Sequence, residues 1–202
     1  MHAFAFLLVA AASWLYFQPG ASSSAGSVTT DTGEGDASVL DALVPAQDAL
    51  MSIGATMRTS SAGIAAIVAR EGFSAMPYQD AGDWSVGYGH FIRPGEDYSA
   101  GVTQDQALEI LSADVAVAEN AVNAHVSVPL TQGQFDALVS FAYNVGAAAF
   151  GNSTLLRALN AGDYQGAQEQ FARWIYSVQD GVRQVNPVLQ ARRDAEAAQF
   201  LT

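Results

Sequence analysis

The chain of 202 residues contains no cysteine and no lysine, and only three histidines, His2, His90 and His125. Without cysteine there can be no disulfide staple, no thiol nucleophile, no cysteine-based zinc site and no control by thiol exchange. The histidines are scattered and lack the HxxxH spacing of a metal-binding helix, so neither a catalytic metal nor a cofactor is expected. Positive charge is also scarce: eight arginines face 20 acidic residues, for a formal net charge of -12. A surface built to follow phosphates or anionic lipid is excluded by that balance, and nucleic acid with it as a partner. The acidity is not confined to a tail. One arginine and five acids precede residue 60 (-4), and seven arginines and fifteen acids come after it (-8). Half of the residues are hydrophobic, enough for a sizeable core, and no internal repeat is visible.

Residues 3 to 17, AFAFLLVAAASWLYF, form an apolar run of fifteen. That is short of the roughly 20 residues of a comfortable membrane span and carries no polar stripe for a surface helix. Trp14 and Tyr16 sit at its distal end as interfacial aromatics do, and the next charges, Asp31, Glu34 and Asp36, are compatible with export of the remainder of the chain. Only the amino terminus and His2 could supply a positive flank, and SSSAG (22 to 26) offers a cleavage site. Residues 1–20 are thus expected to be a signal anchor or a signal peptide, the anchor being favoured. Residues 18 to 37 are rich in Gly, Ser and Thr and cannot bury enough surface to offset their ordering entropy. Residues 21–59 form a linker with a possible short helix from Val39 to Met57, and residues 60–202 form the folded domain.

That domain reads as mostly helical. Ile64, Ile67 and Val68 fall at helical spacing between Ser60 and Glu71, and Gly72 suits the helix end. Thr103 with Gln106 and Thr131 with Gln134 make capping boxes. The first precedes the stripe Leu108, Leu111, Val115, Val122, and the second precedes Phe135, Leu138, Val139, Ala142, with Gly146 as terminator. Ser153 and Gly162 bracket a short helix, Asp163 can cap another, and Asn186-Pro187 reads as N-cap with a first-turn proline after it.

The chemistry lies in EGFSAMPYQDAGDWSVGYGH, residues 71 to 90. Glu71 continues the apolar stripe of the first helix, where burial raises a carboxyl pKa by up to several units and the helix C-terminus adds a smaller push the same way. A carboxylic acid that keeps its proton near neutrality is what general-acid catalysis needs. A structural ion pair with an arginine would explain the same placement. Pro77 to Asp80, a tight turn at Ala81-Gly82-Asp83, and Trp84 to Tyr88 read as a β-hairpin. Trp84, Val86 and Tyr88 would line one face of the second strand, with Ser85, Gly87 and Gly89 on the other, a smooth candidate floor for a ligand. Asp80, on the hairpin and open to solvent, would stay ionised. A protonated and an ionised carboxyl facing one another are the apparatus for cleaving a glycosidic bond, although Asp80 could also be a turn residue bonding its own loop.

The stretch resembles the phage-type lysozymes and endolysins, whose motif is a helix-ending Glu, eight residues, an Asp, five residues and a Thr, and then a hairpin strand. Here eight residues separate Glu71 from Asp80, and SVGYGH (85 to 90) stands at the strand. The resemblance continues through PLTQGQFDALVSFAYNVGAAAFGNSTLLRALNAGDY (129 to 164), FARW (171 to 174) and NPVLQARRDAEAAQFL (186 to 201). It implies an α+β lysozyme-like fold, a small lobe with a β-hairpin and a larger helical lobe with a cleft between them. It also implies a monomer that hydrolyses the β-1,4 bond between N-acetylmuramic acid and N-acetylglucosamine in peptidoglycan. Carried over, Glu71 is the general acid, Asp80 positions or activates water, and Ser85 stands where the family has Thr. Only four residues separate Asp80 from Ser85, one fewer than in the family, and Asp83 becomes a rival to Asp80. Asn144, Tyr88 and Arg193 are the substrate-binding candidates. By the same resemblance one of Arg192 and Arg193, not both, would line the cleft and pair with Glu71, since adjacent helix positions diverge by about 100°; the alternative is ordinary helix-surface charge. His90 reads as a hydrogen-bonded residue closing the hairpin. The resemblance further implies export across the cytoplasmic membrane, tethering through residues 3–17, and release of the signal-anchor-release kind. The rival reading is a wall-binding or virion module on the same fold without turnover.

Overall fold

The computed structural model describes residues 56 to 202 apart from 81 and 180, and of Asp80 the backbone alone. The expected signal anchor, most of the linker and the possible helix from Val39 lie outside the described residues. Helix α1 (Ser61–Glu71) leads into a three-stranded antiparallel sheet, β1 (Ser74–Asp80), β2 (Asp83–Gly87) and β3 (His90–Phe91), in that spatial order. The helices α2 (Gln104–His125), α3 (Gln132–Val145), α4 (Ala147–Gly151), α5 (Thr154–Asn160) and α6 (Tyr164–Gln170) come next. A ribbon, β4 (Tyr176–Gln179) with β5 (Val182–Val185), precedes the last helix, α7 (Pro187–Gln199). Among the described residues no helix is long and apolar enough to cross a membrane.

The helix boundaries are set by local chemistry. Ser60 caps α1 by accepting from the Gly63 N–H, and both capping boxes form, Thr103 with Gln106 and Thr131 with Gln134. Gly72 and Gly146 terminate α1 and α3 with φ of 69° and 88°. Ser153, Asp163 and Asn186 cap α5, α6 and α7 as their positions predict.

Helix α3 is the axis of the core. Phe135, Ala137, Leu138, Val139, Phe141 and Ala142 are all at most 1 % exposed, so it is covered on every side rather than along one stripe. The Phe141 ring meets Trp174, Phe171 and Phe150 at centroid distances of 5.2, 5.3 and 6.4 Å, all edge-on, which ties α4, the turn after α6 and α3 together. Helix α7 packs on α3. Helix α2 differs from the expected stripe: Leu108 is 40 % exposed, and the buried line is Ala107, Leu111, Val115, Ala118 and Val122.

Ahead of the expected domain start at residue 60, Met57 to Thr59 are already clasped. The Met57 N–H donates to Asn123 Oδ1 at 2.9 Å, Asn123 Nδ2 returns a bond to the Met57 carbonyl at 3.0 Å, and the Thr59 N–H donates to Glu119 Oε1 at 2.8 Å. Asp136 on α3 accepts from Ser60 N and Gln132 Nε2 at 3.0 and 2.8 Å, and from the Ser60 hydroxyl. These bonds fix the start of α1, and thereby where Glu71 ends it.

Candidate functional site

Three adjoining elements converge where α1 stops. Helix α1 presents Glu71 in its last turn, α7 lies beside it, and the sheet begins three residues later. The Glu71 side chain is 1 % exposed, and its Oε1 accepts from Arg192 Nη1 at 2.6 Å. Its Oε2 is buried and has no hydrogen-bond partner within the described residues. One oxygen is therefore held and the other has no donor among the described residues, an arrangement that Glu196 Oε2 shares; an unmatched buried acceptor costs about 1–3 kcal/mol. Burial pulls the Arg192 guanidinium down, but its bond to Glu71 outweighs this and the net displacement is upward.

Arg192, not Arg193, is thus the partner of Glu71. The neighbouring guanidinium turns inward: Arg193 is 1 % exposed, lies over the Phe141 ring at 4.9 Å, approaches Glu196 at 3.3 Å, and donates to Asn144 Oδ1 at 2.5 Å. Asn144 and Arg193, both expected to contact substrate, are engaged with each other. Tyr88 is 7 % exposed, with its ring against Phe73 at 5.5 Å. Its carbonyl accepts from the Tyr143 hydroxyl at 3.2 Å, which couples the sheet to α3.

Tyr143 does not stand out in the sequence. It sits one position before Asn144, and the only signal is its place in AYNVG. Burial pushes its phenol well above the ordinary range, and the nearby Glu71 carboxylate pushes it further, so it serves as a permanent hydrogen-bond donor beside Glu71.

The sheet departs from the expected hairpin in three respects. Strand β1 begins at Ser74, with a register irregularity between Ser74 and Tyr78 that accommodates Pro77, which has no N–H to give the ladder. Strand β2 ends at Gly87, so Tyr88 and Gly89 form a turn into a third strand, β3, where Ser85 pairs with Phe91 and Val86 with His90. The face with Ser85 and Gly87 is covered rather than open at Gly87. Gly87 is buried, and a Cβ built on it would lie 3.0 Å from Ala107 Cβ of α2. At this position the smooth strand lets a helix approach, not a ligand.

Asp80 occupies the last register position of β1, opposite Asp83, with Gly82 in the connecting loop at φ 100°. The carboxylate of Asp80 is outside the described atoms; Asp83, its rival, is exposed directly across the pair. Ser85 lies between Tyr78 of β1 and Phe91 of β3 and is 4 % exposed. His90 is 5 % exposed and bridges two carboxylates, Asp114 Oδ2 at 2.6 Å and Glu96 Oε2 at 3.0 Å, so it locks β3 to α2. Among the described residues no group of three or more carboxylate or histidine side chains is placed to hold a metal ion.

A buried acid at a helix end, with a strand hairpin carrying a second acid immediately after it, is set in a chain with detailed likenesses to known proteins. The phage lysozyme family profile matches residues 68–196. An endolysin of Acyrthosiphon pisum secondary endosymbiont phage 1 is 41% identical over 147 residues, which is 71% of this chain and 98% of that one. A SAR-endolysin of Enterobacteria phage P21 is 40% identical over 110 residues, 53% of this chain and 65% of that one. Among solved structures, the muramidase domain of SpmX from Asticaccaulis excentricus superposes with a TM-score of 0.67 at 38% identity, covering 72% of this chain and 98% of that domain. The chain belongs to the phage lysozyme family and is a glycoside hydrolase that acts on peptidoglycan.

Proposed function

We propose that Glu71 protonates the leaving glycosidic oxygen and that Asp80 positions or activates the attacking water at the β-1,4 bond between N-acetylmuramic acid and N-acetylglucosamine. The observation that carries this reading is the half-satisfied Glu71 carboxyl: Arg192 holds Oε1, and Oε2 is buried without a donor among the described residues. A carboxyl fixed by one oxygen keeps its orientation while the other is free to exchange a proton with a sugar oxygen. Arg192 then stabilises the carboxylate left after that transfer. The Ser85 hydroxyl assists Asp80 at the water, and Asn144, Tyr88 and Arg193 support the sugar chain, Tyr88 through its backbone tie to Tyr143. For Arg193 and Asn144, contact with substrate requires that they exchange their mutual hydrogen bond for one to sugar.

Peptidoglycan lies outside the cytoplasmic membrane, so residues 3–17 act as the exporting segment and membrane tether, with the enzyme active as a monomer. Support comes from their composition and from the likeness of the folded part to a protein named as a SAR-endolysin. Fractionating cells before and after depolarisation tests this, and a chain that stays bound and equally active in both states contradicts it. The reaction itself is tested by digesting purified peptidoglycan, reducing the products with borohydride and identifying the new reducing ends. Reduced muramic acid is expected. Reduced glucosamine would place the cut at the alternate bond and overturn the assignment.

A further inference from the structure

Behind Glu71 lies a second buried acid that the reaction does not use directly. Glu196 is 0 % exposed, and its Oε1 accepts from the Ser140 hydroxyl at 2.7 Å, which in turn accepts from Arg70 Nη1 at 2.8 Å. Its Oε2 faces Arg193 Nη1 at 3.3 Å. The charged and polar groups around Glu196 and Glu71 come from each element packed there: Arg70 and Glu71 from α1, Arg192, Arg193 and Glu196 from α7, with Ser140, Tyr143 and Asn144 from α3. Glu71 and Glu196 draw on the same three guanidiniums, Arg70, Arg192 and Arg193. With both acids ionised the group carries three positive charges and two negative ones.

We propose that Glu196 is a positioning residue for the glycosidase reaction: it neutralises Arg193, so that Glu71 faces the field of two guanidiniums, Arg70 and Arg192, rather than three, and the general acid can retain a proton. The inference rests on the assignment of Glu71 as that acid. Were the three arginines balanced by Glu71 alone, their combined field would hold it ionised and useless as a donor. Burial pulls the Arg193 guanidinium down and Glu196 opposes this, for a net value of about 10, so it remains cationic at neutral pH and needs a partner. Burial likewise raises the Glu196 carboxyl, and Arg193 leads the groups that oppose this.

Glu196→Gln removes a negative charge and leaves Arg193 unbalanced, which favours ionised Glu71, so activity is lost at lower pH. Arg193→Gln removes a positive charge and moves the loss to higher pH. The double variant restores the charge sum and brings the profile back. The experiment is the pH dependence of kcat/KM on solubilised peptidoglycan for the full chain and these three variants, with circular dichroism to verify folding and Glu71→Gln as the control. Opposite displacements of the alkaline limb by about one pH unit in the single variants, the lower end of what one neighbouring charge does to a carboxyl, with recovery in the double variant, are expected. A lowered rate with an unmoved limb in whichever single variant folds would show Glu196 to be structural only. If Glu71→Gln is itself fully active, the acid assignment fails instead, and the two failures are distinguishable.

Discussion

Replacing Arg192 by methionine removes the donor that Glu71 has among the described residues while keeping most of the side-chain volume. In the wild-type protein the pair is sequestered, with side-chain exposures of 7 % and 1 % and a separation of 2.6 Å. Removing one partner strands Glu71 with both oxygens unmatched, because Oε2 has none to begin with. Breaking a buried pair from one side costs about 3–5 kcal/mol. For a domain of this size each kcal/mol corresponds to about 2–4 °C in Tm, so a fall of about 6–20 °C is expected. Glu71→Gln on its own strands Arg192 and should also destabilise. In the double variant Glu71→Gln with Arg192→Met neither charge is stranded, so its loss should fall short of the sum by about 1–3 kcal/mol. Differential scanning calorimetry at neutral pH on the four proteins measures this. Additive losses, or a change in Tm under about 2 °C for Arg192→Met, would refute a tight buried pair at the end of α1.

Burial pushes the Glu119 carboxyl up, but the Thr59 N–H and the Arg58 guanidinium outweigh this and hold it below the usual range. A depressed folded value contributes stability that is present above the ordinary carboxyl value of about 4.3 and is lost as pH falls through the folded one. Glu119→Gln should therefore cost about 1.5–3 kcal/mol at pH 7 and much less near pH 3, read as urea midpoints across that range. Gly87 has φ 67° and faces Ala107 of α2 at contact distance; Gly87→Ala should lower stability by about 1–3 kcal/mol, and Ala107→Gly should relieve only the steric part. Thermal unfolding of Gly87→Ala, Ala107→Gly and the double variant checks this, and a neutral Gly87→Ala would contradict the close packing of β2 on α2.

The features legible in the residues were mostly those decided within a few positions. Thr103, Thr131, Ser153, Asp163 and Asn186 cap helices through contacts one to three residues away, and each was legible for that reason. Glu71 was legible because an acid on an apolar stripe contradicts its surroundings. The choice between Arg192 and Arg193 was not, since it turns on the rotation of α7 about its axis against α3. Leu108 was misplaced because hydropathy favours the larger side chain, whereas Ala107 is buried so that Gly87 can approach it. The ribbon β4–β5, absent from the expected elements, does carry a local signal. Tyr176 to Val185 is alternating sequence around Asp180-Gly181, the pair that suits a two-residue hairpin loop, and Gln179 does pair with Val182 across it. Strand β3 carried no such signal: at two residues it exists only through its pairing with β2 and the grip of Asp114 on His90.

The central claim is that the buried carboxyl at the end of α1 delivers the proton to the leaving sugar. Turnover of purified peptidoglycan by the full chain beside Glu71→Gln, at matched folded concentration, tests it most directly. A general acid contributes about 100-fold to 10,000-fold, and the amide cannot replace it, so a loss of at least about 100-fold in kcat with the helical signal retained is expected. A folded Glu71→Gln protein that cleaves within a few-fold of the wild type would contradict the account.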